Sequence, residues 1–195
     1  LHSTDLPRCS WVSADPLYLA YHDTEWGVPE RDSQALWEKL ILDGFQAGLS
    51  WLTILKKRGN FRRAFCDFNP AVIATWGEDE VATLLTDAGI IRHRGKIEAV
   101  IGNARAYLEI EANGGFDQFL WNYVDGEALQ PRYATHVEVP TQTALSLQVS
   151  KDLKKAGFRF VGPTIVYAFM EATGLVNDHL TSCHCHDRVA ALKTA

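Results

Sequence analysis

A chain of 195 residues has room for one or at most two small domains. Its 47% hydrophobic content and formal charge of −5 exclude a disordered polyelectrolyte and a generally basic, histone-like surface. No apolar run approaches the roughly 18 residues needed to cross a bilayer. Leu1-His2-Ser3-Thr4-Asp5 lacks the basic and apolar regions of a secretory signal, so no membrane partner is expected.

The pattern is helical throughout. Asp32 or Ser33 caps a helix running to about Ala47, with Leu36, Trp37, Leu40 and Ile41 on one face. Ser50 caps a second, which Gly59 is expected to stop at Arg58, and Asn60 opens a short helix holding Phe61, Ala64 and Phe65. Asn69-Pro70 starts another. Glu78-Asp79-Glu80 puts acid at the start of the next, where the helix dipole favours it, and Ala88-Gly89 ends it. Ile97, Val100, Ile101, Ala104 and Leu108 mark a long helix from about Arg94 to Glu111, closed by Asn113-Gly114-Gly115. Phe116 to Val124 is a short aromatic helix, and 125–141 reads as a loop. Leu145, Val149 and Leu153 lie on a helix closing at Gly157, and Gly162-Pro163 opens one to Thr173. No sustained alternation or internal repeat is present. The expectation is an all-α fold in one unit over 1–195, with both chain ends in one subdomain.

The four cysteines are Cys9, Cys66, Cys183 and Cys185, and three of the seven histidines follow residue 178. Cys9, His22, His179 and Cys183 form a candidate metal set, since two thiolates and two imidazoles suit tetrahedral zinc. The spacing of His179 and Cys183 would put both on one face of a helical turn. A shared ion would tie the two ends of the chain together. Cys185, His184 and His186 are competing ligands. The plainer alternative is a buried thiol at Cys9 and a solvated His-Cys tail.

Trp11, Tyr18, Tyr21, Trp26, Trp37, Phe45 and Trp51 crowd the first 51 residues. Glu38 and Asp43 are the acids among them. Aromatic faces with one carboxylate suit a planar, electron-poor or cationic ring. The alternative for each ring is core, and Trp37 and Phe45 are assigned there.

Twelve of the 19 Lys and Arg fall in three windows. These are Lys56 to Arg63, Arg92 to Lys96, and Lys151 to Arg159. A window of this kind is usually a solvated face, but three can converge on a phosphate backbone despite the net negative charge. The third leads into Gly157-Phe-Arg-Phe-Val-Gly162-Pro163, a glycine turn that can present backbone N–H groups to an anion at a helix start.

Arg8-Cys9-Ser-Trp11, Tyr21-His22-Asp23-Thr-Glu25-Trp26-Gly27-Val28-Pro29 and Gln46-Ala47-Gly48-Leu49-Ser50-Trp51 together resemble 3-methyladenine DNA glycosylase I. Ala88 to Ile97, Phe160-Val161-Gly162 and Leu175 to His179 extend the resemblance over nearly the whole chain. It implies a helix-hairpin-helix DNA glycosylase fold, the hairpin part spanning about 60–165, with one structural zinc joining the N- and C-terminal segments. By the same resemblance the metal ligands are Cys9, His22, His179 and Cys183. The base pocket falls on Trp11, Tyr18, Tyr21, Trp26, Asp43 and Trp51, with Asp43 where the family usually has the longer Glu. Leu49 is the candidate wedge and Gly162 a DNA contact. Asn177 occupies the position of the acid that supports catalysis in related glycosylases, and no residue is assigned to activating water. The implied activity is excision of 3-methyladenine from double-stranded alkylated DNA by a cytoplasmic monomer, without strand cutting, because the family pattern places no Schiff-base lysine. Two rivals share these residues: a silent binder of modified bases, and a zinc-stapled interaction protein with no nucleic-acid role.

Overall fold

The computed structural model describes residues 6–192; the reading of residues 1–5 lies outside them. The order is α1 (Pro16–Thr24), α2 (Ser33–Gln46), α3 (Trp51–Ala64), α4 (Pro70–Ile73), α5 (Glu78–Thr86), α6 (Arg94–Ala112), α7 (Phe116–Trp121), α8 (Ala144–Lys155), α9 (Pro163–Ala172) and α10 (His186–Ala190). Short 3-10 turns follow α3 and α7 and precede α8. No strand occurs among the described residues; one isolated bridge pairs Leu129 with Val176. The described residues form helices and no strands, as the periodicity predicts.

Helix starts follow local chemistry. Asp32, Ser50, Asn69 and Thr143 each accept a hydrogen bond from a backbone N–H in the first turn of α2, α3, α4 and α8. Gly59 does not stop α3, which runs on to Ala64. Phe61 and Phe65, both fully buried, pack at a tilt against Phe45. That burial outweighs the roughly 1 kcal/mol that a helical glycine costs. Two helices, α1 and α10, were not expected. Asp15 caps α1 ahead of Pro16, but only Tyr21, His22 and Asp23 are buried along it, so it has no continuous apolar stripe. The His179–Cys183 segment is irregular chain, not the helical turn the spacing suggests.

The main core gathers α2, α3, α6, α7, α8 and α9 around Trp37, Phe45, Phe61, Phe65, Phe116 and Trp121. A smaller cluster of Cys9, Tyr21, Trp26, Leu55, Leu180, Cys183, Cys185 and Val189 joins the N-terminal segment to the C-terminal one. Between α8 and α9 the chain turns with positive φ at Gly157 and Phe160. This turn packs against α2 at Gly44, where an added Cβ would meet the Phe160 carbonyl oxygen at an ordinary contact distance of 3.4 Å. The α8–α9 hairpin is therefore fixed one residue from Asp43.

Candidate active site and metal centre

The sulfur and nitrogen atoms of Cys9, His22, His179 and Cys183 lie within 4.8 Å of one another, and all four residues are buried. Cys183 Sγ is 3.6 Å from His22 Nε2 and 3.5 Å from His179 Nδ1, and Cys9 Sγ is 3.7 Å from His179 Nδ1. Zinc–sulfur bonds of ~2.3 Å and zinc–nitrogen bonds of ~2.05 Å at the tetrahedral angle require S···N edges of about 3.6 Å. The donor set fits that ion. The outward nitrogens are also held: His22 Nδ1 meets Asp23 Oδ1 at 2.9 Å, and His179 Nε2 meets the Trp26 carbonyl at 3.0 Å. Such partners fix ring orientation and tautomer at metal sites. Asp23 is clamped in turn by Arg8 at 2.6 and 2.8 Å. The hydrogen bond from Cys185 pulls the Cys183 thiol down to about 6, toward the thiolate a metal requires.

Two of the competing ligands, His184 and Cys185, form a second donor group with His22 and Asp23, its ligand atoms within 4.8 Å of one another, and each competing ligand also has a pairing of its own. His184 Nε2 pairs with Asp23 at 3.0 Å and His186 Nδ1 with Asp187 at 2.8 Å. Cys185 sits 3.5 Å from His184 Nε2 and is bonded by Arg188. None of the four cysteines is in a disulfide.

Beside this cluster opens a cavity of about 200 Å³, lined by Trp11, Tyr18, Tyr21, Trp26, Asp43 and Trp51 among others. All six candidate pocket residues thus meet at one place. A cavity of about 150 Å³ admits benzene, so this one is on the scale of a single nucleobase. Tyr18 and Tyr21 come from α1, Asp43 from α2 and Trp51 from the first position of α3. The rings lean on one another edgewise or tilted: Trp11 lies 5.1 Å from Tyr18 and 5.0 Å from Trp26, and Tyr21 lies 5.5 Å from Trp51. Trp26 also packs 4.6 Å from His179 at 86°, so the metal set props up one wall. Trp37 and Phe45 are core, as assigned.

The cavity is polar at one side. Asp43 Oδ2 and Trp51 Nε1 are buried without a partner among the described residues. Burial pushes the Asp43 carboxyl up, against the pull of Lys39. Sequence reasoning missed Lys39 and Glu171, and set aside Asp178 as a neighbour of Asn177; all three line the same cavity. Lys39 and Asp43 are i and i+4 on a helix, a spacing that reads as a surface ion pair. Asp178 accepts from Tyr167 Oη at 2.6 Å, and its Oδ1 has no partner among the described residues. Asn177 is a strut, donating to Gln130 Oε1 and the His186 carbonyl.

The basic windows do not all face outward. In the first, Lys56, Arg58 and Arg62 pair with Asp15, Glu25 and Glu38. In the second, Arg94 pairs with Glu78, and Lys96 is buried, donating to the Phe45 and Ala47 carbonyls at 2.9 and 2.8 Å. Lys96 thereby closes the C-terminus of α2 just before the Leu49 turn. In the third window, on the α8–α9 hairpin, Lys151, Lys154, Lys155 and Arg159 are all exposed, as are Arg63 in the first window and Arg92 in the second. Leu49 is 38% exposed in a turn where Gly48 has φ +84, and Gly162 is the N-cap of α9; neither lines the cavity.

A family model described as methyladenine glycosylase matches residues 11–186. The chain is 56% identical to DNA-3-methyladenine glycosylase 1 of Escherichia coli over 182 residues, covering 93% of this chain and 97% of that protein. A crystal structure of 3-methyladenine DNA glycosylase I superimposes with a TM-score of 0.91 at 56% identity, over 92% of this chain and all of that one. A tyrosine-to-phenylalanine variant of such an enzyme, in complex with 3-methyladenine, matches with a TM-score of 0.89 at 43% identity, over 92% of this chain and 97% of that one. The chain belongs to the methyladenine glycosylase family and is a DNA glycosylase, a hydrolase acting in base-excision repair.

Proposed function

We propose that this enzyme hydrolyses the N-glycosidic bond of 3-methyladenine in alkylated double-stranded DNA, leaving an abasic site. One observation carries the reading: a base-sized aromatic cavity holds a buried carboxylate oxygen and an indole N–H with no partner among the described residues. Methylation at N3 makes the base cationic, so it leaves C1′ as a neutral molecule. The enzyme's task is to extract the base from the stack, at a cost of a few kcal/mol, and to hold it. The faces of Trp11, Tyr18, Tyr21, Trp26 and Trp51 would favour the cation over neutral adenine by about 0.5–2 kcal/mol. Asp43 adds charge and accepts from the base edge. Leu49 fills the gap left in the duplex. The N-terminus of α9 at Gly162 and the lysines of α8 meet the phosphates.

Cys9, His22, His179 and Cys183 would hold one zinc ion. With four protein ligands it has no open position for water, so its contribution is structural: it joins the chain ends and fixes the wall carrying Trp26. Lys39 is tied to Asp43 as an ammonium and has no lone pair for attack on C1′, which fits cleavage by water alone. The whole chain acts as one monomeric unit in the cytoplasm, with the hairpin part and the stapled ends on either side of the cavity.

Incubation with methylated duplex DNA, followed by chromatography of the released bases, tests this. The expected product is free 3-methyladenine without 7-methylguanine, with strands that break only on alkaline treatment. Binding without release would make the chain a silent binder, and release of 7-methylguanine would contradict the pocket's selectivity.

A further inference from the structure

Lys39 lies on α2 one turn before Asp43, and its Nζ is 2.5 Å from Asp43 Oδ1. The same Nζ stands 3.9 Å above the centroid of the Trp51 ring. These are the two contacts, carboxylate and aromatic face, that a cationic base needs. The side chain is only 15% exposed. It borders both the aromatic cavity and an adjoining one lined by Tyr21, Glu25, Glu38, Arg58 and Arg62.

We propose that Lys39 is a resident cation of the base pocket: its ammonium holds the place on Trp51 and Asp43 that the charged lesion takes, and the two exchange. This rests on reading the cavity as the berth of the flipped base. The exchange follows from charge balance. A neutral adenine that displaced the ammonium would leave Asp43 buried and unpaired, which is costly. A methylated cation replaces the ammonium charge for charge. After cleavage the base is neutral, and the returning ammonium favours its release. A displaced ammonium would turn toward the adjoining cavity that Lys39 also lines, where Glu25 and Glu38 are each already paired with an arginine, Arg58 and Arg62. The other charges around it are mixed: Glu171 attracts the ammonium and Arg58 repels it. Lys39 is thus a specificity-determining residue, set against neutral bases and against product retention.

The probes are the permanent cation 3,9-dimethyladeninium and the neutral 9-methyladenine, titrated by tryptophan fluorescence into wild type, Lys39→Met and Lys39→Arg. With its competitor removed, Lys39→Met is expected to bind the cation about tenfold more tightly, with 9-methyladenine changed less than about twofold. Lys39→Arg, whose planar fork pairs more firmly with a carboxylate and stacks on indole, is expected to weaken cation binding. In wild type, NMR of the lysine side chains should show the Lys39 signals leaving the shielding region above Trp51 as the cation is added. Unmoved Lys39 signals at saturation, or unchanged cation affinity in a folded Lys39→Met protein, would overturn the exchange while leaving the pocket reading intact. Failure of wild type to bind the cation at all, together with no release of 3-methyladenine from DNA, would overturn both.

Discussion

Glu171 shows how closely the cavity balances its charges. Burial, and then the neighbouring charge of Asp178, pushes its carboxyl well above the ordinary 4.5. A carboxyl raised on folding holds its proton more tightly in the native state. Its contribution is therefore intact below the ordinary value and is lost as pH rises through the native one. Glu171→Gln removes that loss. The variant should be more stable by about 1 kcal/mol at pH 8, a Tm rise of roughly 2–4 °C, and the gain should shrink toward pH 5. A Tm difference independent of pH would show that Glu171 carries no native-state proton. At the same scale the sequence was only partly legible. The six pocket residues converge as the resemblance implies, but nothing in their spacing shows that Lys39 enters the cavity, or that Lys96 turns inward to hold α2 instead of facing DNA.

At the scale of elements, the junction after α9 decides whether the two chain ends meet. Gly174 has φ +72, and a Cβ there would fall 2.5 Å from the Pro29 nitrogen and the Val28 carbonyl carbon. Glu30 N–H bonds the Thr173 carbonyl at 3.0 Å in the same place. The segment carrying His179 can therefore run flush against the segment following α1. Gly174→Ala should cost about 3 kcal/mol or more, because both the backbone conformation and the close approach are lost, and chemical denaturation would measure it. A cost under 1 kcal/mol would mean the junction relaxes freely. Helix starts were readable because caps are local: Asp32, Ser50 and Asn69 announce themselves. Gly59 misled because its local cost is small beside the burial of Phe61 and Phe65. Helix α1 was hidden because its buried positions, Tyr21, His22 and Asp23, serve the sites and break the apolar period.

Over the whole molecule, residues 170 apart in sequence, Cys9 and His179, stand 3.7 Å apart. A metal held at this point would close a loop of nearly the full chain and would support Trp26. Elemental analysis should find one zinc per chain. Stripping it with a chelator should lower Tm by on the order of 10 °C and reduce base excision, since the aromatic wall loses its prop. Unchanged stability after complete metal removal would reduce the cluster to ordinary packing. Residue types could suggest this staple. They could not show that the chain between His179 and Cys183 is irregular, because a four-residue spacing fits a tight turn as well as a helix.

The measurement that bears most directly on the cavity as a berth for a charged base is single-turnover excision of 3-methyladenine from duplex DNA by Asp43→Asn. Asparagine keeps the shape and removes the charge. The excision rate at subsaturating enzyme should fall on the order of 100-fold, with affinity for undamaged duplex unchanged. Equal rates for the two proteins would contradict the account, because the anionic contact proposed for Asp43 would then contribute nothing to recognising the lesion.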